Sequence, residues 1–557
     1  MTSIKFILII LLALILTSCS KSPDVIYYNG KIHTLDSDNT VVEAIAVKDG
    51  KILELGKNDD IRNKYKIDNC IDLQGKVVIP GFIESDGSLV EFSLELSRFN
   101  NLVDLRNCTK VSQIIKLVAE KVKSQKDDSW VGGYGWNENN LTDANEADMD
   151  KTTLDKISTH HNIYLINADG TIVWCNSKIL ETLQITKQTP APVNGEIDKD
   201  DDGELTGFLF GTAVNLIKEK LPKFTKEDML TSIEAGAKEL LKYGITEIHD
   251  RSVNSESISA FRELIDSGKF PIRIYAVLTG TEGSFDEYLK KGIEVNYKNK
   301  LTVRAVTVDY DGSLELQSAA MHDDYKIDPK RKVPYIDDAS MEKILNKAID
   351  KNFQFTIKTV GDLAVSNAIN TIGKVMHERN VSDKRIVLEA VEFIQPVELN
   401  KIKEYKIIPS LRPEACMYDI DMLPVLIPTA NYKNFALWNS LLQYSGMITI
   451  GTGFPFSHSI NPFIQMYYLT KRQFVDTLRK NIPSENQTLS ILDALKSYTV
   501  WPAYSGFEEK IKGSLEKGKF ADMLVISEDI FNSDAKLLLD TKVLKTIING
   551  KILFESK

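Results

Sequence analysis

Short runs of β-branched residues alternate with amphipathic stretches over most of this chain, and this alternation limits its possible folds more than any other feature. Regular alternation of strand and helix is typical of parallel βαβ units. We expect an (α/β)8 barrel rather than an open doubly wound sheet, because neither a Gly-x-Gly-x-x-Gly string nor a P-loop string occurs. In such a barrel, functional side chains lie at the carboxyl ends of the strands. The predicted strands are 78–83, 163–166, 245–249, 272–277, 301–308, 354–357, 385–388, 407–409 and 447–451, and amphipathic segments between them are 226–243, 340–351 and 363–378.

The two ends of the chain resemble each other. Asn29-Gly30-Lys31-Ile32 near the start is repeated as Asn549-Gly550-Lys551-Ile552 near the end. Asn-Gly and Asp-Gly pairs are hairpin turn signals, so Asn29-Gly30 and Asp49-Gly50 predict tight turns between short strands. We therefore expect one β-sandwich built from residues 25–79 and 501–557, with a barrel of residues 80–500 inserted between its halves.

The N-terminus has the pattern of an export signal. Lys5 precedes an unbroken apolar run, residues 6–16, which is shorter than the roughly 18 residues that a membrane-spanning helix needs. Leu16-Thr17-Ser18-Cys19 resembles a bacterial lipobox. We predict a signal peptide (1–18), a lipidated Cys19 and a short tether (19–24), which would anchor the protein to a membrane of the bacterial cell envelope. The alternative is an ordinary signal with a chance cysteine.

Charge and cysteine content exclude several classes of partner. The chain has 68 Lys and Arg against 78 Asp and Glu, a formal net charge of −10, so it is a poor candidate for binding nucleic acid. The cysteines after Cys19 are isolated, which argues against a disulfide framework or a structural zinc site. The expected partners are a small-molecule ligand and the membrane, through Cys19. The sequence leaves the oligomeric state open.

Several motifs in a fixed order carry a resemblance to a known family. They run from residue 25 to the C-terminus and resemble the amidohydrolase superfamily, in particular its amidohydrolase-3 branch, which includes N-substituted formamide deformylase. The motifs include Val78-Ile79-Pro80-Gly81-Phe82-Ile83, Gly133-Tyr134-Gly135-Trp136, Asp169-Gly170, Leu205-Thr206-Gly207, His249-Asp250, Asp311-Gly312-Ser313, Gly361-Asp362, Tyr498-Thr499 and residues 513–522.

The resemblance implies metal-dependent hydrolysis of non-peptide carbon–nitrogen bonds. In the family, zinc or another divalent metal is held at the barrel mouth by histidines, an aspartate and often a carboxylated lysine, and it activates a water. This chain has other residues at each of the family's ligand positions that we identified. They are Asp86 and Ser88 after the first strand, then Thr171, Thr307, Lys358, Ala390 and Gly453. We therefore expect no metal and no other cofactor, since these residues are mostly weak ligands.

The same positions suggest what replaced the metal. Lys358 is either a solvated lysine at the rim or a cation that pairs with Asp86 or Glu389 in the metal's place. A rebuilt catalytic site is the alternative, because carboxylate pairs hydrolyse bonds without metal in glycosidases. The candidate catalytic side chains are Lys358, Asp86, Asp311, Asp362 and Glu389, with Asp419 as a further carboxylate; the expected pocket residues are Ser88, Trp136, Thr171, Trp174, His249, Thr307, Ala390 and Gly453.

Three classes of function remain open at this stage. The first is a degenerate amidohydrolase-family lipoprotein that binds a small molecule or a partner in the old active-site cleft. The second is an active carbon–nitrogen hydrolase with a rebuilt or metal-free carboxylate and lysine site. The third is a structural or interaction protein whose cleft is filled by Phe208, Phe210 or Phe454. An open polar cleft would favour the first two.

Overall fold

The computed structural model describes residues 22–137, 141–143, 149–167, 171–192, 195–221, 225–327, 334–455, 457, 459–475, 485–532 and 534–556. The predicted signal peptide and Cys19 lie outside these residues, as do Asp169 and Gly170. None of the described helices has the length and apolar character needed to cross a bilayer.

The strands are numbered in chain order. They are β1 (Val25–Tyr28), β2 (Lys31–His33), β3 (Val41–Val42), β4 (Ala44–Lys48), β5 (Lys51–Gly56), β6 (Cys70–Asp72), β7 (Val77–Pro80), β8 (Phe82–Gly87), β9 (Val103–Asp104), β10 (Trp130–Trp136), β11 (Asn162–Asn167), β12 (Ile172–Cys175), β13 (Gly195–Lys199), β14 (Leu205–Gly211), β15 (Ile245–Val253), β16 (Arg273–Thr279), β17 (Glu294–Tyr297), β18 (Leu301–Asp309), β19 (Gln354–Lys358), β20 (Val387–Glu389), β21 (Ile408–Leu411), β22 (Thr449–Ile450), β23 (Met523–Ile526), β24 (Val543–Ile548) and β25 (Lys551–Glu555).

The α-helices are numbered in the same way. They are α1 (Asn58–Lys64), α2 (Leu89–Asn101), α3 (Val111–Val122), α4 (Lys151–Asp155), α5 (Ser177–Thr182), α6 (Asn215–Lys218), α7 (Lys226–Leu241), α8 (Ser255–Asp266), α9 (Gly283–Lys291), α10 (Asp338–Asp350), α11 (Asp362–Glu378), α12 (Leu399–Glu404), α13 (Pro413–Asp419), α14 (Leu423–Leu426), α15 (Trp438–Ser445), α16 (Pro462–Lys471), α17 (Ile491–Lys496) and α18 (Val500–Ser505).

The chain divides into two compact units. The first contains the residues up to Phe92 together with Gly236–Lys557, and the second is Ser93–Ala235. The segment 80–500, predicted as one barrel, therefore contains a unit of its own. The sequence did not predict this division, because alternation of strand and helix continues through both units.

The first unit contains a nearly closed parallel barrel, as the sequence predicts. The strand order is β8-β15-β16-β18-β19-β20-β21-β22, and a bridge between Gly87 and Phe454 joins the two edges. Parallel strands covered on both faces are apolar along most of their length. In β18 every residue except Arg304 and Asp309 is buried. Eight of the predicted strands correspond to this barrel, and residues 163–166 do not.

The ends of the chain form the predicted β-sandwich in the same unit. One sheet has the order β5-β4-β1-β6 and the other β25-β24-β23-β7-β2-β3. A shared core contains Tyr27, Ile45 and Val78 from the first segment and Met523 and Ile547 from the last. Both chain ends are therefore needed to complete this core.

The prediction of a hairpin at Asn29-Gly30 was wrong. Strand β1 pairs with β4 and β6, whereas β2 pairs with β3 and β7, so the dipeptide carries the chain from one sheet to the other. The prediction at Asp49-Gly50 is confirmed, because Lys48 pairs directly with Lys51 across it. Asn29 and Asp49 both have positive φ, 58° and 51°, so the same local conformation serves two different connections.

The second unit is built on a six-stranded sheet of order β13-β14-β12-β11-β10-β9. The predicted barrel strand 163–166 lies here, as part of β11. Trp136 and Trp174 are buried in the hydrophobic core of this unit together with Leu165. The indole of Trp136 donates to the Leu165 carbonyl at 3.1 Å, and that of Trp174 to the Asp150 carbonyl at 2.8 Å.

Candidate functional site at the barrel mouth

Charged side chains from several barrel strands meet where those strands end. Successive side chains on a strand point to opposite faces, so Glu247, His249 and Arg251 share one face of β15. Arg251 binds residues of β18 and β20, which places that face in the barrel interior. We call this group of side chains the mouth network. Its members are Asp86, Arg251, Thr307, Asp309, Glu389 and Arg412.

Arg251 is the centre of the mouth network. Its Nε donates to Oε2 of Glu389. Its Nη2 donates to Oγ1 of Thr307 at 3.0 Å and to Oδ1 of Asp309 at 2.7 Å. The same Nε lies 3.9 Å from Oδ1 of Asp86, and the Arg251 side chain is only 9% exposed. One buried guanidinium therefore faces three carboxylates in a region where electrostatic interactions are strong.

A second guanidinium binds the other oxygen of Asp86. Nε of Arg412 donates to Oδ2 of Asp86 at 2.7 Å. Burial works against ionisation of Asp86, but Arg412 and Arg251 outweigh it and hold the pKa of this carboxyl below its usual range. A Cβ on Gly453, which has a φ of +73°, would come within 2.8 Å of Cζ of Arg412. The absence of a side chain at position 453 therefore leaves room for the guanidinium.

A buried glutamate, Glu84, accepts a hydrogen bond from the backbone of Asp86. Oε1 of Glu84 accepts from the backbone N–H of Asp86 at 3.3 Å and from that of Thr452 at 2.7 Å. Burial raises the pKa of Glu84 to about 8, and the nearby negative charge of Asp86 adds to the effect. At neutral pH, Glu84 is therefore a neutral acid that links the end of β8 to the loop after β22.

The exchange Glu84→Gln is expected to make the free energy of unfolding less dependent on pH. The unfolded chain releases this proton near the ordinary pKa of 4.5 and the folded chain near 8, so wild-type stability falls as pH rises through that window. Glutamine has no such proton but keeps the accepting oxygen. Urea denaturation at several pH values should show the variant gaining stability relative to the wild type towards pH 8. The same exchange at exposed Glu378 is the control, and identical profiles for Glu84→Gln and wild type would contradict the prediction.

Lys358 ends β19 beside the mouth network. Burial, together with the neighbouring Arg412 guanidinium, lowers the pKa of its amine. The sequence suggested that Lys358 pairs with Asp86 or Glu389. The structure instead pairs these carboxylates with Arg412 and Arg251. Lys358 is half-buried rather than a fully solvated rim residue.

The carboxylates of Asp311 and Asp362 accept hydrogen bonds from backbone N–H groups, and that of Asp362 also accepts one from a loop side chain. The Asp311 carboxylate accepts from the N–H groups of Val360, Gly361 and Ala320, all at 2.8–2.9 Å. Burial nevertheless raises its pKa to about 6. Asp362 accepts from the N–H of His322 at 2.9 Å and from the side-chain amide of Gln395 at 2.5 Å. Both aspartates therefore hold the loops that surround the mouth.

The other predicted pocket residues of the first unit are not members of the mouth network. The backbone N–H of Ser88 donates to the Phe454 carbonyl at 2.9 Å, and Ala390 is buried with a φ of +57°. Nε2 of His249 lies 3.6 Å from Oε1 of Glu247, deeper in the barrel than Arg251. Phe454 is buried against Phe92, with ring centroids 5.1 Å apart.

The remaining predicted residues lie in the second unit or outside the residues that the structure describes. Trp136 and Trp174 are core residues of the second unit, as described above. Thr171 is exposed in the same unit, where its carbonyl accepts from the N–H of Gly211 at 2.9 Å. Phe208 stacks on Trp174 at 5.9 Å. Cys19 is outside the described residues.

Neither arginine of the mouth network was predicted from the sequence. Arg251 directly follows the His249-Asp250 motif, and it lies two residues beyond His249 on the same strand face. Arg412 lies three residues after the predicted strand 407–409 and directly precedes α13. An arginine at the end of each of two predicted barrel strands was therefore a signal present in the sequence.

The fold and the position of this site define an α/β-barrel protein with its polar centre at the carboxyl ends of the strands. The Amidohydrolase family profile matches residues 69–554. The chain belongs to this family, which confirms the resemblance seen in the sequence.

Relatives align with nearly the whole chain. Protein LONG AFTER FAR-RED 3 of Arabidopsis thaliana is 26% identical over 547 residues, which cover 95% of this chain and 91% of the relative. N-substituted formamide deformylase of Arthrobacter pascens is 22% identical over 564 residues, covering 96% and 98%. Among solved structures, an uncharacterized metal-dependent hydrolase from Pyrococcus horikoshii OT3 has a TM-score of 0.71 at 21% identity, covering 92% of this chain and 99% of the other.

A zinc-containing structure has a more distant likeness. Atrazine chlorohydrolase TrzN from Arthrobacter aurescens TC1, complexed with zinc, has a TM-score of 0.52 at 14% identity and covers 95% of each chain. These structural likenesses show that the fold is shared.

The side chains at the barrel mouth do not fit a divalent metal. Within the part of the chain that the structure describes, no three His, Cys, Asp or Glu side chains are grouped to hold one. Asp86 and Glu389 already bind guanidinium groups, and Lys358 adds a further basic group beside them. A cation introduced here would meet positive charge at short range, which is unfavourable in a buried site.

Proposed function

We propose that this protein is a binding member of the Amidohydrolase family that has lost the metal-dependent reaction and uses the barrel mouth to bind a small molecule. One observation carries the proposal: the Arg251 guanidinium occupies the space between Asp86, Asp309 and Glu389. The site remains polar and reaches solvent, since the side chains of Asp309 and Arg412 are 47% and 20% exposed. These features favour ligand binding over a purely structural role for the mouth.

Catalysis by the mouth network would need a group that is free to accept a proton. Asp86 faces both arginines, and although burial opposes ionisation, Arg412 and Arg251 together hold the pKa of this carboxyl below its usual range. A general base works best when its pKa lies near the working pH. Asp86 is therefore poorly suited to activate water without a metal.

The proposal places the protein at a membrane of the cell envelope, anchored through Cys19. Support comes from Lys5, the apolar run 6–16 and the lipobox-like string that ends at Cys19. An acyl anchor at that point would leave residues 20–24 as the connection to β1.

Elemental analysis tests the loss of the metal. Full-length protein purified in detergent without chelators is expected to contain far less than one equivalent of zinc, iron, manganese or nickel, because guanidinium groups occupy the carboxylates. Zinc-bound atrazine chlorohydrolase, purified in the same way, is the positive control. A near-stoichiometric metal content would overturn the proposal, and assays of amide, formamide and hydantoin hydrolysis would then follow.

A second candidate is a metal-free hydrolase with a rebuilt site. Burial and the Arg412 guanidinium lower the pKa of Lys358, which favours this candidate because it makes the nucleophilic, neutral form of the amine more accessible. This candidate requires hydrolysis of amides, formamides or hydantoins by metal-free protein and loss of that activity in Lys358→Met. Exposed Lys343 on α10 provides the matched exchange, Lys343→Met, which should leave any such activity unchanged.

A further inference from the structure

We propose that Lys358 and Arg412 together bind an oxyanion group, a carboxylate or a phosphate, of the ligand. This inference rests on the proposed binding function and specifies the chemistry of its ligand. Among the described residues, no carboxylate lies within 4.0 Å of the Lys358 amine. The side chain is nonetheless half-buried, so a bound anion would provide the partner that Lys358 lacks.

Arg412 would be the second group that binds the oxyanion. Only its Nε is used by Asp86, and among the described residues Nη1 and Nη2 have no hydrogen-bond partner. A guanidinium with two free amino groups presents a fork that matches two oxygens of a carboxylate or a phosphate. Asp86 fixes the position of the fork, because it is itself held by Arg251 on the other side.

Charge explains why an anion would be favoured over a neutral ligand. Burial and the Arg412 guanidinium both disfavour the protonated form of Lys358, whereas the more distant carboxylates of Asp309 and Asp311 favour it. Two basic groups therefore lie near each other, and no carboxylate of the described residues is within 4.0 Å of the lysine amine. The nearby carboxylates of Asp86 and Glu389 are occupied by arginines. An oxyanion placed between Lys358 and Arg412 would relieve this repulsion and form charge-assisted hydrogen bonds with both.

Thermal unfolding of the full-length protein in detergent provides the first test. Sodium succinate and inorganic phosphate are the two oxyanion probes; sodium chloride at equal ionic strength and neutral succinamide are the controls. The midpoint should rise with the concentration of at least one oxyanion and not with the controls. Lys358→Met should abolish that rise, Lys358→Arg should retain part of it, and Lys343→Met should retain it fully. Succinate and phosphate distinguish a carboxylate ligand from a phosphate ligand.

Acetylation of lysines, followed by mass spectrometry, provides a second test that needs no variant. A bound oxyanion holds the Lys358 amine protonated and covers it, so acetic anhydride should modify Lys358 severalfold more slowly in the presence of the stabilising oxyanion. The rate at Lys343 should stay constant. Equal rates with and without oxyanion, or equal stabilisation of wild type and Lys358→Met, would overturn the inference. Stabilisation by succinamide alone would overturn it but leave the binding function in place, and near-stoichiometric metal in the elemental analysis would overturn the binding function itself.

Discussion

The exchange Arg251→Met is expected to lower the free energy of unfolding by about 3–5 kcal/mol. It leaves Glu389, Asp309 and the nearer oxygen of Asp86 without the cation that now faces them. Glu389 is buried, and an unpaired carboxylate at such a site costs more than the ion pair itself contributes. Methionine retains most of the side-chain volume, so the loss reports the charge rather than a cavity. Urea denaturation at neutral pH measures the effect.

A surface pair provides the matched control. Arg379, the residue that follows α11, binds Asp350 of α10, and the two side chains are 37% and 57% exposed. Arg379→Met is expected to cost less than about 1 kcal/mol, because water solvates the remaining carboxylate. The Arg251 prediction fails if the two exchanges have similar effects. A smaller loss in the double variant Arg251→Met/Glu389→Gln than in Arg251→Met alone would confirm that the unpaired charge is the cause.

The exchange Gly451→Ala is expected to lower the free energy of unfolding by about 1–3 kcal/mol. A Cβ at this position would lie 2.1 Å from Cβ and 2.8 Å from Cα of Asp86. The clash involves backbone on both sides, at the closure between β8 and β22, so no side-chain rotation relieves it. Thermal or urea unfolding measures the loss.

Gly283, the first residue of α9, is the control for this exchange. A Cβ there would meet nothing within 4 Å, and its φ is not in the left-handed region. Gly283→Ala is therefore expected to leave stability unchanged or to raise it slightly, because alanine restricts the unfolded chain. Equal effects at Gly451 and Gly283 would show that the barrel closes with more space around Asp86 than the structure has.

Much of the architecture was predictable because it depends on local sequence patterns. The eight barrel strands and the composite sandwich follow from runs of β-branched residues and from the repeat at the two chain ends. The second unit was not predictable in this way. Residues 163–166 have the same apolar pattern as a barrel strand, and only their pairing with β10 and β12 assigns them to another sheet.

The candidate site was predictable in part. Asp86, Thr307, Lys358 and Glu389 were correctly expected near the ends of barrel strands, because the family motifs identify those positions. Their partners were not expected. Arg251 and Glu389 are separated by 138 positions and Arg412 and Asp86 by 326. No local pattern indicates which arginine meets which carboxylate, so the hypothesis that Lys358 replaces the metal misidentified the cation.

The sequence by itself determined which segments become strands and which side chains lie at their ends. Tertiary structure decided how those segments pair. Asn29-Gly30 and Asp49-Gly50 have the same turn chemistry, but one links two sheets and the other closes a hairpin. Backbone propensity acts over a few residues, whereas sheet pairing and ion pairing at the barrel mouth depend on contacts between segments that are hundreds of residues apart.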